Sequence, residues 1–209
     1  MIRRANSWCG GSALLFILGQ ILNVLWMAFV VIWLVGSFLT KKRAASSSAR
    51  WAKGFGLRLV FAVVVVALLN VPGLREWMLA LRHQTGIPVI RALRYGGFVV
   101  AALGMAFAVW ARFQIGRNWG VPMSLRQGHE LVTGGPYAIV RHPNYTGLFF
   151  ALLGSAIFYL SPILLIVTPV CAIYYVWAAT REERTMFEQF PDQYPAYRSR
   201  TKMLIPFIF

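Results

Sequence analysis

The sequence predicts an all-α integral membrane protein with about five transmembrane helices. Three observations carry this. Apolar residues make up 58% of the chain and charged residues only 13%, where a soluble domain carries about a quarter. The apolar residues fall in long runs rather than in short periodic ones, as membrane-spanning helices require. The basic residues, which bring the net charge to +15, gather at the ends of those runs. In a soluble protein that excess would point to nucleic acid. Here it orients helices and meets anionic headgroups. No basic stripe interleaved with aromatics lies outside the runs, so nucleic acid is not an expected partner.

The first run, residues 12–39, follows a short start bearing Arg3 and Arg4 and is too long for a cleaved signal peptide. Gln20 and Asn23 lie near one of its faces and read as hydrogen-bonding groups between helices. A basic connector with Lys41, Lys42, Arg43, Arg50, Lys53 and Arg58 leads to the second span, 57–74, which Asn70, Pro72 and Gly73 close. A further connector holds His83, read as a loop residue. The third span, 89–113, has Arg91 and Arg94 near its start, placed to snorkel. Its Gly96, Gly97 and Gly104 would let a neighbouring helix come close.

A long polar segment follows, and then two more runs at 145–160 and 162–180, with Ser161 and Pro162 as a tight reversal between them. The tail carries four of the six acidic residues: Glu182, Glu183, Glu188 and Asp192. Met186, Phe187 and Phe190 recur at helical spacing, so the last helix should continue as an amphipathic segment until Pro191 and Pro195 limit it. With five spans, most of the 21 Lys and Arg fall in the first connector, the third connector and the tail. The positive-inside rule makes that face cytoplasmic, although Arg3 and Arg4 argue weakly the other way. One membrane domain, 1–209, is expected.

Residues 134–147, GGPYAIVRHPNYTG, concentrate specific chemistry between apolar segments. Arg141, His142 and the nearby His129 could face a carboxylate. Glu182 or Glu183 could take an ammonium group. Tyr137, Tyr145 and Trp119 could stack on a heterocycle or face a sulfonium cation. Gly134 and Gly135 would let backbone donors approach a ligand. S-adenosylmethionine has each of these features: an amino acid head, a cationic sulfur and adenine. Each group also has a plainer reading as a headgroup anchor, an interfacial ion pair or a belt residue. Cys9 and Cys171 lack metal or redox spacing, and the three histidines form no metal motif, so no metal is expected. Nucleotide-binding glycine motifs and a serine nucleophile elbow are also missing.

The segment GHELVTGGPYAIVRHPNYTG, then an apolar hairpin, then REER, FEQFPDQYPAYRSR and a terminal IP, resembles the isoprenylcysteine carboxyl methyltransferase family, itself similar to the phospholipid methyltransferases. The resemblance covers 116–206. It implies a membrane-embedded methyltransferase that uses S-adenosylmethionine without a Rossmann domain, its cytoplasmic cofactor site closed by the C-terminal tail. Family cofactor contacts carry over onto His129, Leu131, Val132, Tyr137, His142, Pro143, Tyr145 and Glu182. Arg141 and Glu183 are candidate catalytic residues, Glu183 as a base for an acceptor that must lose a proton. The expected partners are membrane lipids and a lipophilic methyl acceptor, with no obligate protein partner evident.

Two positions depart from the family pattern. Ala178 stands where prenylcysteine-specific members carry an arginine, one helical turn before the position of Glu182. Pro122 stands where they carry a glutamine. The acceptor is therefore open between a prenylcysteine carboxylate, a lipid amine and a small thiol. Outside enzymes, the competing reading is a small transporter or lipid-binding protein. A transporter should carry ionisable residues at mid-membrane depth or an inverted repeat, and neither is visible.

Overall fold

A computed structural model describes residues 5–41, 87–116 and 131–206. The expected second span at 57–74, the basic connector, His83, Trp119, Pro122 and His129 lie outside the described residues. Five α-helices are described: α1 (Ala5–Lys41), α2 (Pro88–Ile115), α3 (Pro143–Tyr159), α4 (Pro162–Gln189) and the short α5 (Tyr194–Arg200). A 3-10 turn at Gly135–Ala138 precedes α3. Three stretches are long and apolar enough to cross a membrane: Ala13–Val35 of α1, all of α2 and all of α4. Large apolar side chains on these helices stand exposed, among them Phe16, Leu103, Phe113 and Ile173, as lipid-facing residues do. The 17 residues of α3 extend about 25 Å at 1.5 Å per residue, a little short of a hydrocarbon core of about 30 Å.

The central packing is that of α3 against α2. Lipid tails are as apolar as leucine, so helices in a bilayer gain mainly from close backbone approach. The sequence supplies it with small residues on facing stripes. A β-carbon added at Gly97 would lie 2.6 Å from the backbone nitrogen of Phe158, and one at Gly104 would lie 2.5 Å from that of Ala151. From the α3 side, Gly147 and Gly154 press on the backbone of α2 at Gly104, Ala108 and Ala101 in the same way. Gly97 and Gly104 thus do what the sequence suggests. Gly96 does not, because a β-carbon there would meet nothing within 4 Å; it lies one residue, about 100°, around the helix from the contact.

Arg94 also departs from expectation. It is buried rather than snorkelling, its Nε donates to the carbonyl of Phe158 at 2.9 Å, and its guanidinium lies over the Phe158 ring. The last carbonyls of a helix lack intrahelical donors and carry partial negative charge. The end of α3 is otherwise without a charge, so an inward arginine is the group that meets it.

Helix α1 lies against this pair. The Tyr159 hydroxyl donates to Asn23 Oδ1 at 2.7 Å and to the Gly19 carbonyl at 3.2 Å, and Trp26 Nε1 donates to Ser155 Oγ at 3.0 Å. Asn23 is thus an interhelical polar group, while Gln20 is exposed. The reversal between α3 and α4 forms at the expected place. Leu160 takes the left-handed conformation at φ 49°, and Ser161 Oγ caps α4 by accepting from the Leu164 amide. Cys171 is buried near Ile163 and Val167 as a packing thiol.

Gly104→Val is expected to separate α2 from α3 and to cost about 3 kcal/mol, in the range of overpacked sites. Gly96→Ala should change stability by less than about 0.5 kcal/mol. Thermal unfolding in detergent compares the two; equal losses would sink the packing argument.

Candidate functional site

The polar residues singled out from the sequence converge where the 3-10 turn, the start of α3, the end of α4 and the tail meet. Gly135 begins the turn at φ +62° with the Gln114 carboxamide close by; an added β-carbon would lie 3.1 Å from Gln114 Oε1. Both the backbone conformation and the space favour glycine. Pro136 sets the 3-10 turn, and the Val140 amide bonds back to its carbonyl at 3.2 Å. Pro143 opens α3, where a missing N–H costs nothing. His142 is the residue before it, and its carbonyl accepts from the Tyr145 and Thr146 amides.

The tail folds back onto this stretch. Val140 forms a parallel bridge with Lys202, the Arg141 amide donates to the Lys202 carbonyl at 2.8 Å, and the His142 amide donates to the Met203 carbonyl at 3.1 Å. Thr146 Oγ1 donates to the Leu204 carbonyl at 2.6 Å. Upstream, the buried Tyr197 donates its hydroxyl to the Tyr137 carbonyl at 2.7 Å, and burial pushes the Tyr197 phenol up to about 12. Residues 201–204 therefore act as a strap across the entrance of α3.

Two adjacent carboxylates on α4 reach the stretch, and their surroundings differ. Glu183 is enclosed: its side chain is 6% exposed and its Oε1 lies 2.6 Å from Arg141 Nε. Arg141 Nη1 also donates to the carbonyls of Thr201 and Arg198. Arg198 Nε and His142 Nε2 each stand 3.6 Å from Glu183. Glu182 is the open one, with its side chain 23% exposed. It accepts from the Tyr145 hydroxyl at 2.7 Å and lies 3.3 Å from His142 Nδ1. The Tyr145 ring stacks between His142 and Tyr175, nearly parallel to the latter. Burial alone would lower the His142 pKa, but the adjacent carboxylates of Glu182 and Glu183 outweigh it and hold the pKa above 6.5.

The structure thus brings together Tyr137, Arg141, His142, Pro143, Tyr145, Glu182 and Glu183. Leu131 and Val132 lie half-buried just ahead of Gly134. Ala178 is buried. Arg181 turns away from the cluster, exposed, with its guanidinium over the Trp177 ring, so it does not replace an arginine at position 178. Sequence reasoning missed Tyr175, Thr146 and Thr201. Tyr175 had a signal, since it lies seven residues before Glu182 and so on the same helical face. Thr201 acts through its carbonyl, which no side-chain pattern reveals.

With this geometry in place, three comparisons bear on what the chain is. A family model described as phospholipid methyltransferase matches residues 93–193. The mouse protein-S-isoprenylcysteine O-methyltransferase is 30% identical over 122 residues, covering 54% of this chain and 41% of that protein. The Arabidopsis thaliana protein-S-isoprenylcysteine O-methyltransferase B is 25% identical over 166 residues, 78% of each. The chain thus spans 41% of the length of the mouse relative. A solved eukaryotic intramembrane Ras methyltransferase, isoprenylcysteine carboxyl methyltransferase, superposes with a TM-score of 0.57 at 22% identity, covering 83% of this chain and 60% of that one; this likeness concerns the fold. The class defined is that of helical, membrane-embedded proteins, with a stretch, residues 93–193, similar to the phospholipid methyltransferases. Within it, the relatives found are the ones whose family the sequence resembles, and the chain is similar to the isoprenylcysteine carboxyl methyltransferases.

Two predictions follow from the ion-pair cluster. Removing one partner of a buried pair strands the other charge, so Arg141→Leu is expected to cost about 3–5 kcal/mol. Glu182→Gln, at the open carboxylate, should cost about 1 kcal/mol, the worth of an ordinary hydrogen bond. Chemical unfolding in detergent separates them; a cost for Arg141→Leu no larger than that for Glu182→Gln would refute the assignment. The second concerns pH. His142 has a raised pKa when folded, so its contribution to stability is complete below 6.5 and is lost as pH rises through the higher folded value. The melting temperature should fall over that window in wild type and much less in His142→Gln. The same slope in both proteins counts against it.

Proposed function

We propose that this chain transfers a methyl group from S-adenosylmethionine to a lipophilic acceptor at the cytoplasmic face of the membrane. The observation that carries this is the open carboxylate of Glu182, framed by His142 and Tyr145. It lies inside the part of the chain that matches the phospholipid methyltransferase model. The names of the relatives, protein-S-isoprenylcysteine O-methyltransferases, point to the same chemistry. The five-span arrangement and the cytoplasmic side rest on the apolar runs and on the distribution of Lys and Arg.

The residues present suit this cofactor. Glu182 would take its ammonium group, since a partly exposed carboxylate bonded to a tyrosine hydroxyl still has lone pairs to offer. His129, Leu131, Val132, Tyr137, Pro143 and Tyr145 would form the remaining walls, with Tyr145 and Tyr137 as aromatic surfaces. When bound, the cofactor supplies an electrophilic methyl group on a sulfonium. The protein's part is to align donor and acceptor and to keep water out, which can account for much of the acceleration of such a displacement. Arg141 and Glu183, the candidate catalytic residues, are engaged with each other and support a positioning role. Glu183 would act as a base only by giving up Arg141.

A second reading concerns the acceptor. The family model is that of phospholipid methyltransferases, and Ala178 stands where prenylcysteine-specific members carry an arginine facing the substrate carboxylate. Both support a phospholipid amine as the alternative to the prenylcysteine in the relatives' names.

Titration of detergent-purified protein with S-adenosylhomocysteine should show saturable binding, weakened about 10-fold or more in Glu182→Ala, the loss expected for one charge-assisted hydrogen bond, and weakened also in His142→Ala. No saturable binding by the wild type would overturn the methyltransferase reading. Transfer of labelled methyl to farnesylcysteine or to phosphatidylethanolamine then decides the acceptor.

A further inference from the structure

The tail carries a second cationic feature that the proposed chemistry does not use. A surface cavity of about 360 Å³ is lined by Arg141, Arg198, Ser199, Arg200, Thr201, Lys202 and Met203. Four of these seven side chains are cationic and none is acidic. Arg141 is neutralised by Glu183, and Arg198 stands 3.6 Å from the same carboxylate while lying over the Phe187 ring. Arg200 forms no ion pair among the described residues; its Nε donates to the Ala196 carbonyl. Lys202 is exposed and bonds the α3 entrance through its backbone, which leaves its ammonium to the cavity. Ser199 and Thr201 add hydroxyl groups. Met203 forms an apolar edge, and the chain continues from it into Leu204, Ile205 and Pro206.

We infer that this cavity binds the phosphate of an anionic phospholipid headgroup. Guanidinium, ammonium and hydroxyl groups are the donors that recognise phosphate. The apolar edge at Met203 selects a lipid over a free anion. The site has a structural consequence. Three of its lining residues, Thr201, Lys202 and Met203, belong to the strap whose carbonyls hold the Arg141 and His142 amides and the Thr146 hydroxyl, and Arg198, Ser199 and Arg200 lead directly into it. A bound headgroup ties together the side chains of that strap and holds it against α3. The inference stands apart from the methyltransferase reading, because it concerns the closure of the strap and neither the methyl donor nor the acceptor.

The test uses the full chain in nanodiscs of phosphatidylcholine alone, of phosphatidylcholine with phosphatidylglycerol, and of phosphatidylcholine with inorganic phosphate in solution. Amide hydrogen exchange is read at the strap, at the Arg141 and His142 amides and at residues 201–204. Phosphatidylglycerol should slow it, and inorganic phosphate should not. The double variant Arg200→Gln, Lys202→Gln should lose the effect. In neutral detergent its affinity for fluorescent phosphatidylglycerol should drop about 30-fold, as expected for two cations removed from an anionic headgroup. Arg181→Gln, Arg184→Gln, which removes as much charge outside the cavity, should keep both properties. Unchanged exchange with phosphatidylglycerol overturns the inference. So does equal slowing by inorganic phosphate, which would mean a small-anion site, and so does equal loss in the two double variants, which would mean diffuse electrostatics.

Discussion

A guanidinium and a carboxylate taken out of water each lose hydration, and their attraction compensates only when the remaining donors and acceptors also find partners. Arg141 and Glu183 meet that condition by drawing in three separate segments. Arg141 comes from the turn before α3, Glu183 from the last turns of α4, and the carbonyls of Arg198 and Thr201 from the tail. No pair of these segments would satisfy the guanidinium alone. The requirement to satisfy one buried cation therefore fixes where the tail must lie, and the tail in turn holds His142 and Thr146. Glu182, one residue from the pair, inherits a fixed position while remaining partly open to a ligand.

The foundation under this cluster is the contact of α2 with α3. Glycine and alanine stripes bring the two backbones together, and Arg94 closes the far end of α3 by meeting the Phe158 carbonyl. Because α3 begins at Pro143, directly after His142, a rigid α3 is also a rigid base for the imidazole. The hairpin through Ser161 then returns the chain so that α4 delivers its two glutamates to the end of α3 where it began.

Much of this was legible in the sequence, and the parts that were not share a cause. The apolar runs located α1, α2, α3 and α4, because a membrane span needs length and hydrophobicity and both are local properties. Ser161 and Pro162 located the reversal for a similar reason. The joint occurrence of Arg141, His142, Tyr145 and Glu182 was visible as chemistry and as a family pattern. What escaped was direction. Arg94 reads as a snorkelling residue until the carbonyl of Phe158 is known to stand beside it. Gly96 and Gly97 look alike until the helix phase decides which faces α3. Arg141 and Glu183 each look reactive until they are seen to face one another. These depend on contacts between segments distant in the chain, which residue types alone do not specify.

The way the tail is fastened has a consequence for how its sequence can vary. Residues 202, 203 and 204 hold the entrance of α3 through their carbonyl oxygens, a group that every amino acid carries. Side chains there are free to change without loosening the strap, and so can be given over to a different task, such as reading the headgroups beside them. What cannot change is the count of residues between the end of α4 and the bridge at Lys202. One residue inserted or removed would shift each carbonyl out of register with its donor. Residues 202–204 are specified by their distance along the chain from α4, and only lightly by their spelling.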